Sequence, residues 1–326
     1  MGTVANDLLV RQLKERRERL EVALAQAPDT PQFGRLLEEV DAALARVNGG
    51  TYGLCEVCHE PVEPERLLAD PLLRFCLAHL TEQEQRDLER DLQTAARIQR
   101  GLLPSPDLSV GGWEVHYHWE PAGLVSGDWC DLVRKDGGDL FFMFGDVSGK
   151  GVAAAILMSH LHATFRALIA AESTVAQLVE RANRVFREST LSPYFATLVC
   201  GRASSNGVLE ICNAGHCPPF VLAADGVRTV DPTGLPVGTF YSTSYSARTL
   251  TLLPGDTLVL YTDGLTEARD RSDAEYGTLR LSRTLARVRG LTPRDVVGTC
   301  LEDLAAHMGG APKRDDLTLM AIRRTV

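Results

Sequence analysis

Apolar positions recur at helical spacing from the start of the chain. Leu9, Leu13, Leu20 and Leu24 form a stripe with Arg, Lys and Glu between them, which predicts a helix over 6–26. Ala-Pro-Asp-Thr-Pro at 27–31 breaks it, and Leu37, Val40, Leu44 and Val47 predict a second helix over 33–47, stopped by Gly49 and Gly50. Two charged helices across a short turn predict an antiparallel hairpin. From 80 to about 103 the chain is rich in charge and free of Gly and Pro until Gly101. Leu88, Leu92, Ala95 and Leu102 there fall on a heptad-like stripe that Gln99 interrupts. This stretch is a connector helix, either solvated or a seam between two copies.

Beyond Pro104 and Pro106 the texture changes. Trp113, Val115, Tyr117 and Trp119 alternate with polar residues, the period of a half-covered strand, while LFFMFGD at 140–146 is the unbroken apolar run of a strand covered on both faces. Long helices are predicted at 151–172 and 173–188, strands at 196–203, 207–212, 218–223, 248–253, 256–262 and 316–323, and helices at 276–288 and 293–308. Strands and helices come in blocks, which predicts an α+β domain of packed sheets. Three regions result: residues 1–80, a connector over 81–106, and a domain over 107–326.

At 326 residues, with 44% hydrophobic and 24% charged, the chain is expected to be globular and to hold more than one core. Its net charge of −9 and lack of a basic tract argue against direct nucleic-acid binding. No apolar run of the length a bilayer demands is apparent, and the first residues lack the apolar block of a secretory signal, so a cytoplasmic protein without membrane contact is expected. Five of its eight cysteines (Cys130, Cys200, Cys212, Cys217 and Cys300) are scattered, as reduced, buried thiols are.

The other three form a pattern. Cys55-x-x-Cys58, seventeen residues, then Cys76-x-x-His79 is the spacing of a structural zinc ribbon: each pair supplies two corners of a tetrahedron, and four protein ligands leave no open position. A redox Cys-x-x-Cys would sit at the start of a helix without a matching second pair. His59 is adjacent to Cys58, whose spacing fits better. Residues 33–80, with TYGLCEVC, PVEPERL and RFCLAH, resemble the zinc-finger region of the DksA/TraR family of RNA-polymerase-binding regulators, with His79 where that family usually has a cysteine. That family acts through a hairpin with an acidic tip; here the turn carries one acid, Asp29, and a sensing or scaffolding role is an alternative to polymerase contact.

Four short motifs carry aspartates at the ends of apolar β runs: Val-Ser-Gly-Asp128 followed by Asp131, Phe-Gly-Asp146-Val147-Ser148-Gly-Lys150-Gly151, Tyr-Thr-Asp263-Gly-Leu-Thr-Glu267, and Arg-Asp315-Asp316-Leu-Thr. One Asp-Gly or Asp-Asp pair alone is a turn. Four strand-terminal occurrences predict a cage of hard oxygen ligands for two Mg or Mn ions that acidify a water and neutralise phosphoryl charge. The segment 145–151 has three residues between its glycines and no Ser/Thr after Lys150, so it is not a nucleotide P-loop.

These motifs, with AARIQRGLLP, ATLVCG, NAGHCPP and GLPVG, resemble in order the RsbU/SpoIIE-type branch of the metal-dependent PPM phosphatases over residues 90–326. The resemblance implies two antiparallel sheets flanked by helices and hydrolysis of phosphoserine or phosphothreonine. It implies that Asp146 bridges two metals, that Asp128 and the Val147 carbonyl complete the pair of sites, that Asp263 and Asp315 bind the second metal, and that Asp316, counted with the metal-binding set, orients Asp315. Ser148 stands where broader PPM enzymes often carry histidine, and His216 is read either as a general acid or, preferably, as a residue structuring its loop. Branch members act on STAS-domain anti-anti-sigma proteins, with a connector helix carrying a signal from an N-terminal sensor, often in a homodimer.

Overall fold

The computed structural model describes residues 3–26, 31–135, 137–170, 174–190 and 194–326. Contacts divide the chain into two units, residues 1–91 and 92–326.

In the first unit, α1 (Thr3–Gln26) and α2 (Pro31–Asn48) pack on each other, with Leu13, Val40 and Ala43 buried, while Leu9 of α1 packs with Cys55, Val62, Leu67 and Cys76. Arg17 Nε donates to Asp41 Oδ1 across them at 2.6 Å. The turn between them, with Asp29, lies outside the described residues. A short helix, α3 (Pro64–Ala69), opens on a proline, which needs no helical N–H partner at that position. Helix α4 (Glu82–Leu102) opens on a capping box: Glu84 N donates to Thr81 Oγ1 at 3.2 Å and Thr81 N to Glu84 Oε2 at 2.8 Å. The division between the two units falls within α4.

The second unit holds two antiparallel sheets. One has the order β1 (Asp107–Val110), β2 (Trp113–Glu120), β11 (Leu317–Arg324), β10 (Thr257–Tyr261), β7 (Phe220–Ala223), β8 (Gly226–Thr229). The other runs β3 (Trp129–Arg134), β4 (Leu140–Val147), β5 (Ala196–Ala203), β6 (Val208–Ala214), β9 (Arg248–Thr251). Helices α5 (Gly151–Ile169) and α6 (Val175–Ser189) cover the five-stranded sheet, and α8 (Thr278–Arg287) and α9 (Pro293–Met308) cover the six-stranded one. A one-turn helix, α7 (Asp263–Thr266), follows β10.

Strand pleat explains how one run serves two cores. Leu140, Phe142 and Phe144 of β4 point into the layer between the sheets, with Val115, Ile211, Leu260 and Met320, while Phe141 and Met143 point the other way, to Met158, Leu161 and Phe165 of α5. The sheet face at Gly201 is closed by the Phe142 ring, which leaves no room for a Cβ. Strands β1, β3 and β8 were not expected from sequence. Strand β3 reads Trp-Cys-Asp-Leu, buried on both faces, so it shows no polar–apolar alternation.

One expectation needs correction. Helix α5 is, by length and composition, apolar enough to cross a membrane. Ala154, Met158, Leu161, Phe165 and Ile169 of this helix are buried against the five-stranded sheet, so its apolarity serves a core.

Candidate functional site

The aspartates converge because antiparallel pairing puts the right strand ends side by side. Trp129 pairs with Gly145, so Asp128, before β3, and Asp146, near the end of β4, share one edge. Tyr261 pairs with Leu319, so Asp263 after β10 and Asp315 and Asp316 before β11 share the corresponding edge of the other sheet. Two threonines tie the edges together: Thr262 Oγ1 and Thr318 Oγ1 donate to Asp128 Oδ2 at 2.8 and 2.6 Å. Gly127 allows the close approach, since a Cβ there would stand 2.9 Å from the Val147 carbonyl oxygen and 3.1 Å from Asp146 Oδ1.

Asp316 makes two sets of contacts. Its two oxygens accept from Ala122 N (2.7 Å) and Gly127 N (2.9 Å), so its side chain holds the loop leading to Asp128. Its backbone N–H donates to Asp315 Oδ1 at 3.0 Å, an orienting contact on Asp315. The same loop is gripped from α4. Gln99, which sequence treats as an interruption of an apolar stripe, is buried; it donates to Ser126 O at 2.7 Å and accepts from Ser126 N at 3.0 Å.

The electrostatics are those of a cation site. Burial and then the charge of Asp146 raise Asp128 well above the ordinary carboxylate range, against the hydrogen bonds from Thr318 and Thr262. Burial and the charges of Asp263, Asp315 and Asp316 push Asp146 up to about 7, with a hydrogen bond to Asp128 opposing. Burial and Asp315 raise Asp263, opposed by the N–H of Gly264 and by Lys150. Clustered buried carboxylates that repel one another fit hard divalent cations. Asp128, Asp146, Asp263, Asp315 and the Val147 carbonyl are the donors that such cations would meet.

Three other residues have defined work. Asp131, fully buried, faces away from the cluster and accepts from Arg166 Nε (2.5 Å) and Nη2 (2.6 Å) of α5, with His162 Nε2 3.3 Å away. Ser148 Oγ accepts from Phe195 N at 3.0 Å and Ser148 N donates to Phe195 O at 2.9 Å, which pins the loop after Asp146. Buried His216 contacts Thr197 Oγ1 at 2.8 Å and the Tyr261 carbonyl at 3.1 Å, while Asn213 brackets its backbone. Burial lowers its pKa to about 4, so it is a neutral loop-structuring residue.

In the first unit, ligand atoms of Cys55, Cys58, Cys76 and His79 lie within 4.8 Å of one another. Cys58 Sγ is 3.8 Å from Cys76 Sγ, and Cys76 Sγ is 3.3 Å from His79 Nδ1. Those separations match the edges of a tetrahedron with metal–ligand bonds of about 2.0–2.3 Å. Burial pushes the Cys55 thiol up, but N–H groups of Cys58, Cys76 and Val57 outweigh it and bring it to about 6. His59 takes a left-handed backbone conformation (φ 59°) directly after Cys58. Glu56 braces the fold: it accepts from Arg46 Nη1 at 2.8 Å and from Arg74 Nε at 2.7 Å.

Comparison with known proteins places both units. A family described as Stage II sporulation protein E (SpoIIE) matches residues 136–325, and the prokaryotic dksA/traR C4-type zinc finger matches residues 50–78. Protein IcfG of Synechocystis sp. (strain ATCC 27184 / PCC 6803 / Kazusa) is 28% identical over 265 residues, 72% of this chain but 41% of IcfG's own length. The phosphoserine phosphatase RsbU of Bacillus subtilis (strain 168) is 26% identical over 253 residues, covering 74% of this chain and 72% of RsbU. The solved RsbU and RsbW domains of Rv1364c from Mycobacterium tuberculosis superpose with a TM-score of 0.57 at 30% identity, over 66% of this chain and 61% of that one.

Proposed function

Since the chain belongs, through residues 136–325, to the SpoIIE family of PPM-type phosphatases, we propose that it is a metal-dependent protein serine/threonine phosphatase acting on a regulatory phosphoprotein. The observation that carries this reading is the meeting of Asp128, Asp146, Asp263 and Asp315 at one edge of the sandwich, tied across the sheets by Thr262 and Thr318. In this reading Asp146, with Asp128 and the Val147 carbonyl, would hold a pair of Mn or Mg ions, and Asp263 and Asp315 would serve the second of them. Asp316, which belonged to the expected ligand set, positions the loop of Asp128. Bound cations supply an acidified water and neutralise the phosphoryl oxygens.

The chain's own groups set the rest of the chemistry. The attacking water forms a bond to phosphorus as the bond to the seryl oxygen breaks. Ser148 offers only an alcohol, which accepts from the Phe195 N–H, and His216 is buried, so in this reading solvent takes the proton of the attacking water and supplies one to the leaving oxygen. Replacing Asp146 by Asn is expected to abolish Mn-dependent release of phosphate from a phosphoserine protein while leaving the circular dichroism spectrum intact. Retained turnover would overturn the assignment.

The substrate proposed is a phosphorylated STAS-domain protein, as the resemblance to the RsbU/SpoIIE branch implies. The Cys55, Cys58, Cys76 and His79 cluster is proposed to hold one structural zinc within a regulatory module of residues 1–80. Residues 81–106 are proposed to pass its state to the domain of residues 107–326, in a homodimer joined through the connector. Stopped-flow dephosphorylation of a phosphorylated STAS partner, with and without residues 1–80, tests this; equal rates and equal oligomeric state would remove the coupling. The dksA/traR zinc-finger match favours a second reading, an RNA-polymerase-binding or scaffolding regulator. Loss of activity in the Asp146→Asn variant separates it from the first.

A further inference from the structure

Lys150 stands at the lip of the carboxylate cluster and has no part in the ligand set described above. Its ammonium donates to Asp315 Oδ2 at 3.0 Å and to the Arg314 carbonyl at 3.0 Å, and its side chain remains 67% exposed. Its charge also acts on Asp263 and Asp316. The neighbouring cations have other partners: Lys313 pairs with Glu120, Arg314 with Asp273, Arg269 with Asp273 and Glu275, and Arg166 with Asp131. Among the described residues, Lys150 is the cation paired with an aspartate of the cluster.

We propose that Lys150 exchanges partners: its ammonium competes with a divalent cation for Asp315, and binds a phosphate oxygen of the substrate once a cation has taken Asp315. The inference rests on the phosphatase reading above. A divalent ion drawn to Asp315 competes with the ammonium 3.0 Å from Oδ2, because two cations on one carboxylate repel each other over a short distance. The ammonium is on a flexible four-carbon stem, so it swings outward without moving the backbone. It then faces the opening of the centre with its charge uncompensated, as a phosphate dianion requires. Lys150 sits directly before Gly151, the first residue of α5, so the stem is rooted at the site whichever partner it holds.

The test uses the full chain and two variants, Lys150→Met and Lys150→Arg, with Mn binding to substrate-free protein followed by titration calorimetry and inhibition by inorganic phosphate followed kinetically. Lys150→Met is expected to bind Mn about fivefold to tenfold more tightly, having lost the competing ammonium, and to be inhibited by phosphate about tenfold more weakly, the size of one partly screened charge interaction. Lys150→Arg is expected to recover the phosphate inhibition. Unchanged Mn affinity, or unchanged phosphate inhibition, in Lys150→Met overturns the exchange. A wild-type chain that binds no Mn overturns the phosphatase reading and this inference with it; one that binds Mn and releases phosphate, with Lys150→Met identical to it, overturns this inference alone.

Discussion

Asp128 and Asp131 lie three positions apart in one motif and do unrelated work. Asp128 faces Thr262 and Thr318 of the opposite sheet; Asp131 faces Arg166 of α5. An odd spacing in a strand sends two side chains to opposite faces, so their separation was legible in the sequence, but the partner waiting on each face was not. Gln99 teaches the same lesson. Its amide reproduces a pair of backbone hydrogen bonds to Ser126, two residues before Asp128. Gln99→Leu strands a buried N–H and C=O, at about 1–3 kcal/mol. The expected outcome is a severalfold higher Mn concentration for half-maximal activity; an unshifted Mn curve would dismiss the Gln99 grip. His216 makes stability depend on pH. Its pKa is about 4 in the fold and 6.5 when unperturbed, so between those values the unfolded chain binds the extra proton. The His216 contribution is therefore fully present above pH 6.5 and lost as pH falls toward 4. The stability gap between wild type and His216→Gln, read from urea midpoints, should narrow between pH 7.5 and pH 5. A constant gap would mean that His216 is not held neutral.

At the scale of elements, α5 is attached to the domain at both ends of its chemistry. Near its start the segment Asp146-Val147-Ser148 is pinned to Phe195, and toward its end Arg166 reaches back to Asp131 on β3. A buried aspartate with two short bonds from a half-exposed arginine loses its compensation when the arginine goes. Arg166→Met is expected to cost about 2–4 kcal/mol, less than a fully buried pair because the guanidinium is partly solvated. Denaturant unfolding of the single variant, and of Arg166→Met with Asp131→Asn, checks this: the double variant should regain part of the loss. Equal losses in both would show that packing by the arginine stem, and not the pair, holds the helix. Periodicity predicted α5 and α6 within a few residues of their observed bounds, since a long apolar face needs no partner's identity to be recognised. Strands β1, β3 and β8 escaped because β1 and β8 are four residues long and β3 is covered on both faces, leaving no alternation to read.

At the scale of the molecule, two compact units carry two different sets of donor groups: soft thiols with an imidazole in residues 1–91, hard carboxylates in residues 92–326. The smaller unit's buried apolar set around the cluster is modest: Leu9, Val62 and Leu67 beside Cys55 and Cys76. A metal there is expected to contribute folding free energy directly. Chelation should release one zinc per chain and melt the first unit, seen as a lost low-temperature calorimetric transition, while the larger unit keeps its own. A single unaltered transition after zinc removal would refute a structural role for the ion.

What the sequence by itself determined was chemical identity: the ligand types, their spacing within each motif, and the helical or extended character of the long segments. These are local properties, set by residues within a few positions of one another. Only the tertiary structure decided which carboxylates meet, that Asp316 grips a loop, that Asp131 pairs with Arg166 of α5, and that Lys150 leans on Asp315. Each of those outcomes depends on strand register and on which sheet edge faces which. Register is settled by burying many side chains at once, a sum over the whole domain that no single motif contains.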